Sequence, residues 1–467
     1  MKTKEKIERK RINRKVFLLL LAFGLFLNEL NGQTIKDIDP TPKTPQPATF
    51  TQPNILKSPT YNNPTPKTPS IYNPNLSIQQ RNQLLIQQAD RQIGQRQQQR
   101  DQLIREAVAE FEPKGIRVDY NLPSFVNIPE TKFYKKAFER ISKMNENEYS
   151  VKEITFLIEN AFYEEKENYE NFDKIIKQTG KFLLEKMDDF GYDKNSNVQK
   201  NYILFQFFAD TLQIKEKDLE HLPFTYDFDD FFGKKDWSKM FVTKLLRTGK
   251  GQCNSMPQLY LILAEEIGAE AYLSLSPNHS YIRFSDKLKN WYNVELTNGM
   301  FSTSSFLTQS GYIKSEALLN KIYMQSLSKK ELFSILLFDL ASGYTHKFGY
   351  DEFSKKIIDQ ALEIYPNNVN AHMLLADYLT IKTRYVFRQL GVTKENFKTK
   401  MQQHPKAFET LKNMKSQYNI IDNLGYTEMP EEAYQDWLHS LRQEKYKREN
   451  KEQKERIKKL FKKRIKD

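Results

Sequence analysis

The chain has 467 residues, of which 39% are hydrophobic, including 25 Tyr and 32 Phe, so it is long enough for about three domains with sizeable cores. Its formal net charge of +13 comes from the ends: residues 1–15 hold eight Lys/Arg against two Glu, and residues 441–467 hold thirteen Lys/Arg against five Asp/Glu. The 425 residues between them sum to −1, and a nearly neutral body argues against a groove for nucleic acid.

The first 32 residues have the features of an export signal. A basic run ends at Arg14-Lys15, an unbroken apolar stretch runs from Val16 to Leu27, and Asn31-Gly32 follows. Twelve apolar residues are short for a bilayer span, so cleavage after Gly32 is favoured. An uncleaved anchor stays open because Leu30 is not the small residue preferred three positions before a cleavage site. We expect an exported protein of the periplasm or cell envelope.

Two segments of biased composition come next. Residues 33–76 hold ten of the 19 prolines and contain Pro-Thr-Pro-Lys-Thr-Pro twice, starting at Pro40 and Pro64, which favours an extended, solvated linker. Residues 77–112 are rich in Gln and Arg and carry apolar residues at helical spacing. They predict a helix that forms a coiled coil, lies on a partner or is solvated on all sides.

Residues 113–235 predict a helical subdomain. Ser150 and Glu153 have the spacing of a capping box at a helix start, and apolar faces run from Phe172 to Met187 and from Tyr202 to Leu212. This segment contains no cluster that suggests chemistry. We expect its helices to complete the core of the domain that follows.

Cys253 is the only cysteine of the chain and precedes a helical pattern. Gly268 stands where a left-handed residue would end that helix. Cys253 is therefore expected at a helix N-terminus, where unpaired N–H groups and the positive end of the macrodipole favour a thiolate over a thiol. The apolar stripe of the helix is Met256, Leu259, Tyr260, Leu263 and Ile267.

After Gly268 the pattern changes to that of strands. Three runs are expected to be strands, and the last two are expected to pair as a hairpin. Pro277-Asn278 separates the first two, and a polar stretch separates the last two. The strands are Ala271–Ser276, Ser280–Phe284 and Trp291–Leu296.

The hairpin brings two titratable residues together. With residue 284 opposite residue 290, His279 lies opposite Glu295. Both residues are odd-numbered. They lie on one face of the sheet in any register in which the numbers of two opposite residues add up to an even number, whereas a one-residue slip places them on opposite faces. The carboxylate can then hold one imidazole nitrogen while the other faces the sulfur of Cys253.

Three segments resemble the transglutaminase-like branch of the papain-like superfamily: Thr248-Gly-Lys-Gly-Gln-Cys253, Pro277-Asn-His279 and Trp291-Tyr-Asn-Val-Glu295-Leu-Thr297. The resemblance covers roughly residues 236–301. It implies an α+β domain at 236–325, in which the Cys-bearing helix packs on an antiparallel sheet. It also implies that Cys253 is the nucleophile, His279 the general base and acid, and Glu295 the orienting acid. The family usually has Asp at this third position, so Glu295 is a departure.

Three further residues are candidates for the oxyanion site or for lining the substrate: Gln252, Trp237 and Asn293. Each residue of the site also has a plain structural explanation when taken alone. A lone cysteine is often a small buried hydrophobe, and Trp237 fits an ordinary core. One Cys and one nearby His fall short of a zinc site, so no metal and no other cofactor is expected.

The C-terminal part divides into two segments. Ala361-Leu-Glu-Ile-Tyr-Pro366, with a helix before it and Ala371–Leu379 after it, resembles tetratricopeptide repeats within residues 326–425. These helices would lean on the thiol domain and offer a surface to a protein partner; a plain helical hairpin is the alternative. Residues 426–467 predict a basic helical tail, either solvated or in contact with an anionic membrane surface.

The sequence thus predicts an exported transglutaminase-like cysteine acyl-transfer enzyme. It would hydrolyse amide bonds of a protein or peptide, or pass the acyl group to an amine. The alternative is a catalytically inactive module of the same fold that binds peptides or serves as a scaffold at the cell envelope. A thiol that reacts at mildly acidic pH would separate the two.

Overall fold

A computed structural model gives the fold. The predicted export signal (1–32), the linker (33–76) and all but one residue of the Gln/Arg-rich helix (77–112) lie outside the described residues, so these three expectations stay predictions. The structure describes residues 118–214, 219–302, 311–443 and 446–447, together with Gln98.

Helices dominate the described part, and short strands interrupt them near its middle, so the fold mixes helix and sheet as an α+β class requires. Within these residues no helix combines the length and the apolarity that crossing a membrane needs. The helices are α1 (Thr131–Ile141), α2 (Val151–Phe162), α3 (Tyr169–Asp189), α4 (Asn197–Ala209), α5 (Val242–Thr248), α6 (Ser255–Ile267), α7 (Ser315–Leu319), α8 (Lys329–Phe348), α9 (Glu352–Ile364), α10 (Val369–Leu390), α11 (Phe397–Gln403), α12 (Pro405–Asn423) and α13 (431–443). The strands are β1 (Leu212–Ile214), β2 (Leu219–His221), β3 (Thr225–Tyr226), β4 (Lys250–Gly251), β5 (Tyr272–Ser276), β6 (His279–Ser285), β7 (Trp291–Glu295) and β8 (Met300–Ser302).

Helices α2, α3 and α4 begin at polar caps, at Ser150, Asn168 and Ser196. Ser150 accepts the backbone N–H of Glu153 at 3.4 Å, as predicted, but the Glu153 carboxylate pairs with Arg140 instead of closing the capping box. The helix expected to reach Leu212 ends at Ala209, because Asp210 adopts an extended backbone, and Leu212 starts β1. The predicted helical segment therefore also contains a small hairpin of β1 and β2.

Helix α6 is the centre of the core. Nearly all its side chains are buried, including the five predicted apolar ones, and Gly268 ends the helix in the left-handed conformation (φ 65°), as predicted. Helices α2, α3, α4 and α5 and the strands β5 and β6 surround it. A helix buried on most sides must be apolar nearly all round, and α6 meets that condition.

Strands β5 to β8 form an antiparallel meander beside α6. A two-residue turn, Pro277-Asn278, joins β5 to β6, and Asn278 takes the positive φ (58°) that the second residue of a type II turn requires. β6 and β7 pair as a hairpin, as predicted, but Phe284 lies opposite Tyr292, not opposite residue 290. The predicted register is wrong by two residues. The prediction that odd-numbered residues of the two strands lie opposite each other is correct.

The turn between β6 and β7 explains the register. The carboxylate of Asp286 accepts the backbone N–H groups of Leu288 (2.9 Å) and Asn290 (2.8 Å), and Lys289 has a positive φ of 64°. These contacts build a five-residue loop, 286–290, between the paired residues Ser285 and Trp291. The predicted register would have required a loop two residues shorter.

Helices α8 to α12 stand where repeat-like helices were predicted. α8 packs antiparallel to α9, and α10 packs on α12. α8 also lies against α1 and α2, and its Asp339 accepts the side-chain N–H of Gln258 on α6 at 2.6 Å. The first of these helices therefore shares the core of the Cys-bearing helix.

The described part of the expected basic tail is not a solvated helix. One face of α13 is buried through Tyr434, Trp437, Leu438 and Leu441. These residues have the i, i+3, i+4, i+7 spacing of a packed helix. Tyr434 and Trp437 lie against His279, the first residue of β6.

Candidate active site

Cys253 lies in the first turn of the central helix. β4 pairs with β3 in parallel directly before it. The backbone N–H of Met256 donates to the carbonyl of Gln252 at 3.1 Å, which places Cys253 inside the first helical turn. Its predicted position at a helix N-terminus is confirmed.

His279 lies at the first position of β6, directly after the Pro277-Asn278 turn. The neighbouring Ser280 hydroxyl donates to the backbone carbonyl of Cys253, which ties the strand to the helix start. The sulfur of Cys253 is 4.0 Å from the carbonyl oxygen of Asn278. The sulfur and the imidazole thus meet where α6 begins and the β5–β6 turn ends.

Glu295 holds the far side of the imidazole. His279 Nε2 donates to Glu295 Oε2 at 2.8 Å, and the backbone N–H of Thr297 donates to Glu295 Oε1 at 2.9 Å. In the observed register Glu295 is diagonal to His279 and not opposite it. The two still share a face, as the even parity of the register requires.

His279 and Glu295 stabilise each other's charged forms. Burial lowers the pKa of His279, but the Glu295 charge and hydrogen bonds to Cys253 and Glu295 outweigh burial and raise that pKa to about 10. Burial raises the pKa of Glu295, but the His279 charge and the bonds from His279 and Thr297 outweigh it and lower that pKa. Both shifts favour the imidazolium–carboxylate form of the pair.

Two tyrosines share the Nδ1 side of His279 with the thiol. Nδ1 lies 3.4 Å from the hydroxyl of Tyr434, and that hydroxyl lies 3.4 Å from the hydroxyl of Tyr226. Both tyrosines also interact with Cys253, and burial chiefly raises the pKa of each. Cys253, His279, Tyr226 and Tyr434 therefore converge on one small volume.

The three additional candidates lie in different surroundings. Both side-chain contacts of the Gln252 amide nitrogen run to backbone carbonyls, of Asp227 (2.8 Å) and Asp230 (3.4 Å), so its N–H groups are already used. Trp237 packs beside His346 in the core near α8. Asn293 accepts from Arg283 Nε at 3.1 Å, two positions along β7 from Glu295. The structure brings the three main candidates together and gives these three other contacts.

Sequence reasoning missed Tyr226, Tyr434 and Trp437. The helical spacing of the last two with Leu438 and Leu441 could have indicated a packed helix. Nothing local could have placed Tyr226, because β3 reaches the site only through its pairing with β4.

The site is closed to solvent. Cys253 is 3% exposed, and His279 and Glu295 are 1% exposed each. Among the residues that the structure describes, no group of three or more His, Cys, Asp or Glu side chains is arranged to hold a metal ion.

Comparison with protein-family models, curated proteins and solved structures found no match for this chain.

Proposed function

We propose that the protein is a transglutaminase-like cysteine acyl-transfer enzyme that cleaves amide bonds of a peptide or protein through Cys253, His279 and Glu295. The observation that carries the proposal is the orientation of His279. Its Nε2 is held by a buried carboxylate at 2.8 Å, and the ring also hydrogen-bonds to the thiol of Cys253 at a helix start. A positioned base between an acid and a nucleophile is the arrangement that activated nucleophiles share.

The reaction would proceed in two halves. The thiolate of Cys253 attacks the carbonyl carbon, and the π electrons move to oxygen. The tetrahedral adduct collapses, the C–N bond breaks, and the proton on Nδ1 of His279 passes to the leaving amine. Water then attacks the thioester while Nδ1 takes its proton, and the thiolate leaves. An amine in place of water would give transamidation.

Glu295 supports both halves because a carboxylate on Nε2 fixes the tautomer that directs Nδ1 to the sulfur. The oxyanion needs donors near the sulfur. The backbone N–H of Cys253 is one candidate. The Tyr226 hydroxyl is a better second candidate than Gln252, since the Gln252 N–H groups already bond to the 227–230 backbone.

The rate of Cys253 alkylation by iodoacetamide, measured at pH 5.5 and at pH 8.5, tests this proposal. Restricted access to the site lowers both rates, so its effect cancels in their ratio. Cys253 is the only thiol, so alkylation reports this residue alone. The proposed mechanism needs a thiolate that is paired with the imidazolium at both pH values, so the ratio should stay near one and collapse in His279→Ala. A folded His279→Ala variant with an unchanged ratio would overturn the proposal, as would a low ratio in the native protein.

One observation favours the alternative, a peptide-binding module without turnover. Cys253 is 3% exposed, and a thiol that no carbonyl can reach performs no chemistry. Incubation of the native protein with a mixed peptide library, followed by detection of new amino termini, separates the two functions. Cleavage that is absent in Cys253→Ala supports the enzyme.

The proposed setting is the cell envelope, after export through the N-terminal signal. The substrate would be a peptide or protein there. The repeat-like helices α8 to α12 offer a surface for a protein partner, and the basic C-terminus one for an anionic membrane surface.

A further inference from the structure

We propose that α13 is an autoinhibitory helix, which occupies the substrate groove of the site and must leave before Cys253 can react with a carbonyl. The proposal rests on the proposed function and concerns the regulation of the same site.

The Tyr434 side chain fills the position where a substrate would react. Its hydroxyl lies 3.4 Å from His279 Nδ1 and 3.4 Å from the Tyr226 hydroxyl, and it interacts with the thiol of Cys253. A scissile amide would need to meet the same groups: the sulfur, the base and an oxyanion donor. Tyr434 and a substrate therefore exclude each other.

Aromatic side chains enclose the Tyr434 ring. Phe232 stacks on it with ring centres 5.2 Å apart, and Phe231 lies at 5.5 Å. Trp437 stacks on it from α13 itself at 5.7 Å and contacts the His279 ring edge-on at 4.7 Å. The walls that belong to the body of the protein form a slot for a flat, apolar group once α13 is gone.

The attachment of α13 allows it to leave as a unit. The connecting segment 424–430 has no helix or strand, and it is anchored as far as Met429, whose carbonyl accepts the Asn278 side-chain N–H at 2.8 Å. Beyond it, Glu431 pairs with Lys234 at the rim, and the Arg442 guanidinium lies 5.3 Å from the ring centre of Phe228. The helix is held by one apolar face and these rim contacts.

The docked helix leaves polar groups unsatisfied. Trp437 Nε1 and Gln252 Oε1 are buried and have no hydrogen-bond partner among the described residues. The contacts of the Tyr434 hydroxyl, at 3.4 Å, lie beyond the usual hydrogen-bond range. The Tyr434 hydroxyl and the Trp437 indole therefore add little hydrogen-bond energy to the docking of α13.

The test is labelling of Cys253 in the full chain by a maleimide coupled to polyethylene glycol, which is too large to enter a one-residue cavity. Leu441→Ala removes a fully buried side chain at the far end of α13. It should accelerate labelling at least about tenfold, because it weakens docking of one element that opens separately from the rest. Leu183→Ala is the matched control: Leu183 is equally buried, on α3. It should lower the melting temperature and leave the labelling rate unchanged.

Equal labelling of the two variants would mean that Cys253 becomes accessible only by global unfolding, which overturns the proposal. So would a native rate in Leu441→Ala. A fast-labelling Leu441→Ala protein whose rate ratio between pH 5.5 and 8.5 is low would instead overturn the proposed chemistry, and with it the inhibitory role. The absolute labelling rate thus reports how readily α13 undocks. The ratio of the rates at the two pH values reports whether Cys253, His279 and Glu295 act together.

Discussion

The Glu295 carboxylate reaches His279 along a diagonal of the hairpin. Phe284 pairs with Tyr292. Continued toward the start of β6, the same register places Tyr281 opposite Glu295. Diagonal neighbours on a sheet are about 7–8 Å apart, against about 5 Å for direct pairs. The extra methylene of Glu, compared with Asp, suits that longer span.

Glu295→Asp should therefore shorten the reach and lose the 2.8 Å bond to Nε2. We expect the alkylation rate at pH 5.5 to fall by about tenfold or more, the equivalent of one hydrogen bond to a charged group. Native reactivity in this variant would show that the backbone, and not the side-chain length, sets the contact.

Glu295→Gln should lower the pKa of His279 steeply from about 10, because burial then acts without the opposing carboxylate charge. NMR titration of the imidazole nitrogens measures this directly. Glu270→Gln, at an exposed position just before the same sheet, is the control and should leave the titration unchanged. A His279 titration that Glu295→Gln does not move would contradict the assignment of Glu295 as its partner.

At the scale of the element, α13 is held mainly by apolar burial. Full burial of a large apolar side chain contributes about 1.5–3 kcal/mol, and Tyr434, Trp437, Leu438 and Leu441 are all buried. A partner or substrate that displaces α13 must supply a comparable free energy.

Gly425, in the connection to α13, offers a second way to loosen that helix. It has a positive φ of 87°, and a Cβ there would come within 2.3 Å of the backbone nitrogen of Ala317. Gly425→Ala should shift the connection and accelerate Cys253 labelling. Gly191→Ala is the control, since its φ is 66° but a Cβ would meet nothing within 4 Å. It should show only the conformational cost, about 1–3 kcal/mol in the melting curve, and the native labelling rate.

Two features could be predicted because they depend on local periodicity: the helix that follows Cys253, and the shared face of His279 and Glu295 in the hairpin. Met256 to Ile267 repeats at helical spacing, and the odd positions of His279 and Glu295 need only an even register. The register itself depended on the hydrogen bonds of Asp286 within its turn, which a polar stretch does not reveal. Tyr434 was beyond reach for another reason: its contact with His279 joins residues 155 positions apart.

At the scale of the whole molecule, buried carboxyl groups connect the helices on either side of the central one. Glu159 on α2 accepts the first backbone N–H groups of α5, from Val242 (2.6 Å) and Thr243 (2.9 Å). Asp339 on α8 accepts from Gln258 on α6 at 2.6 Å. Burial is the main cause that raises the pKa of each carboxyl to about 7. These contacts make the stability of the body sensitive to pH.

The free energy of unfolding should fall as the pH rises from about 5 to 8. The folded pKa of Asp339, about 7, lies above its usual 3.8, so the folded state binds more protons than the unfolded state between those values, and stability is lost as the pH rises through them. The pKa of His279, raised from 6.5 to about 10, adds a loss of stability of the same sign between those values.

Asp339→Asn keeps an acceptor for Gln258 but cannot ionise. The stability advantage of this variant over the native protein should grow by roughly 3 kcal/mol between pH 5 and pH 8, since the folded carboxyl stays protonated up to about pH 7 and each unit of pKa shift corresponds to about 1.4 kcal/mol. Urea unfolding at both pH values measures this, with Asp359→Asn on the exposed face of α9 as the control. Parallel curves for Asp339→Asn and the native protein would mean that the pKa of Asp339 is not raised in the folded state.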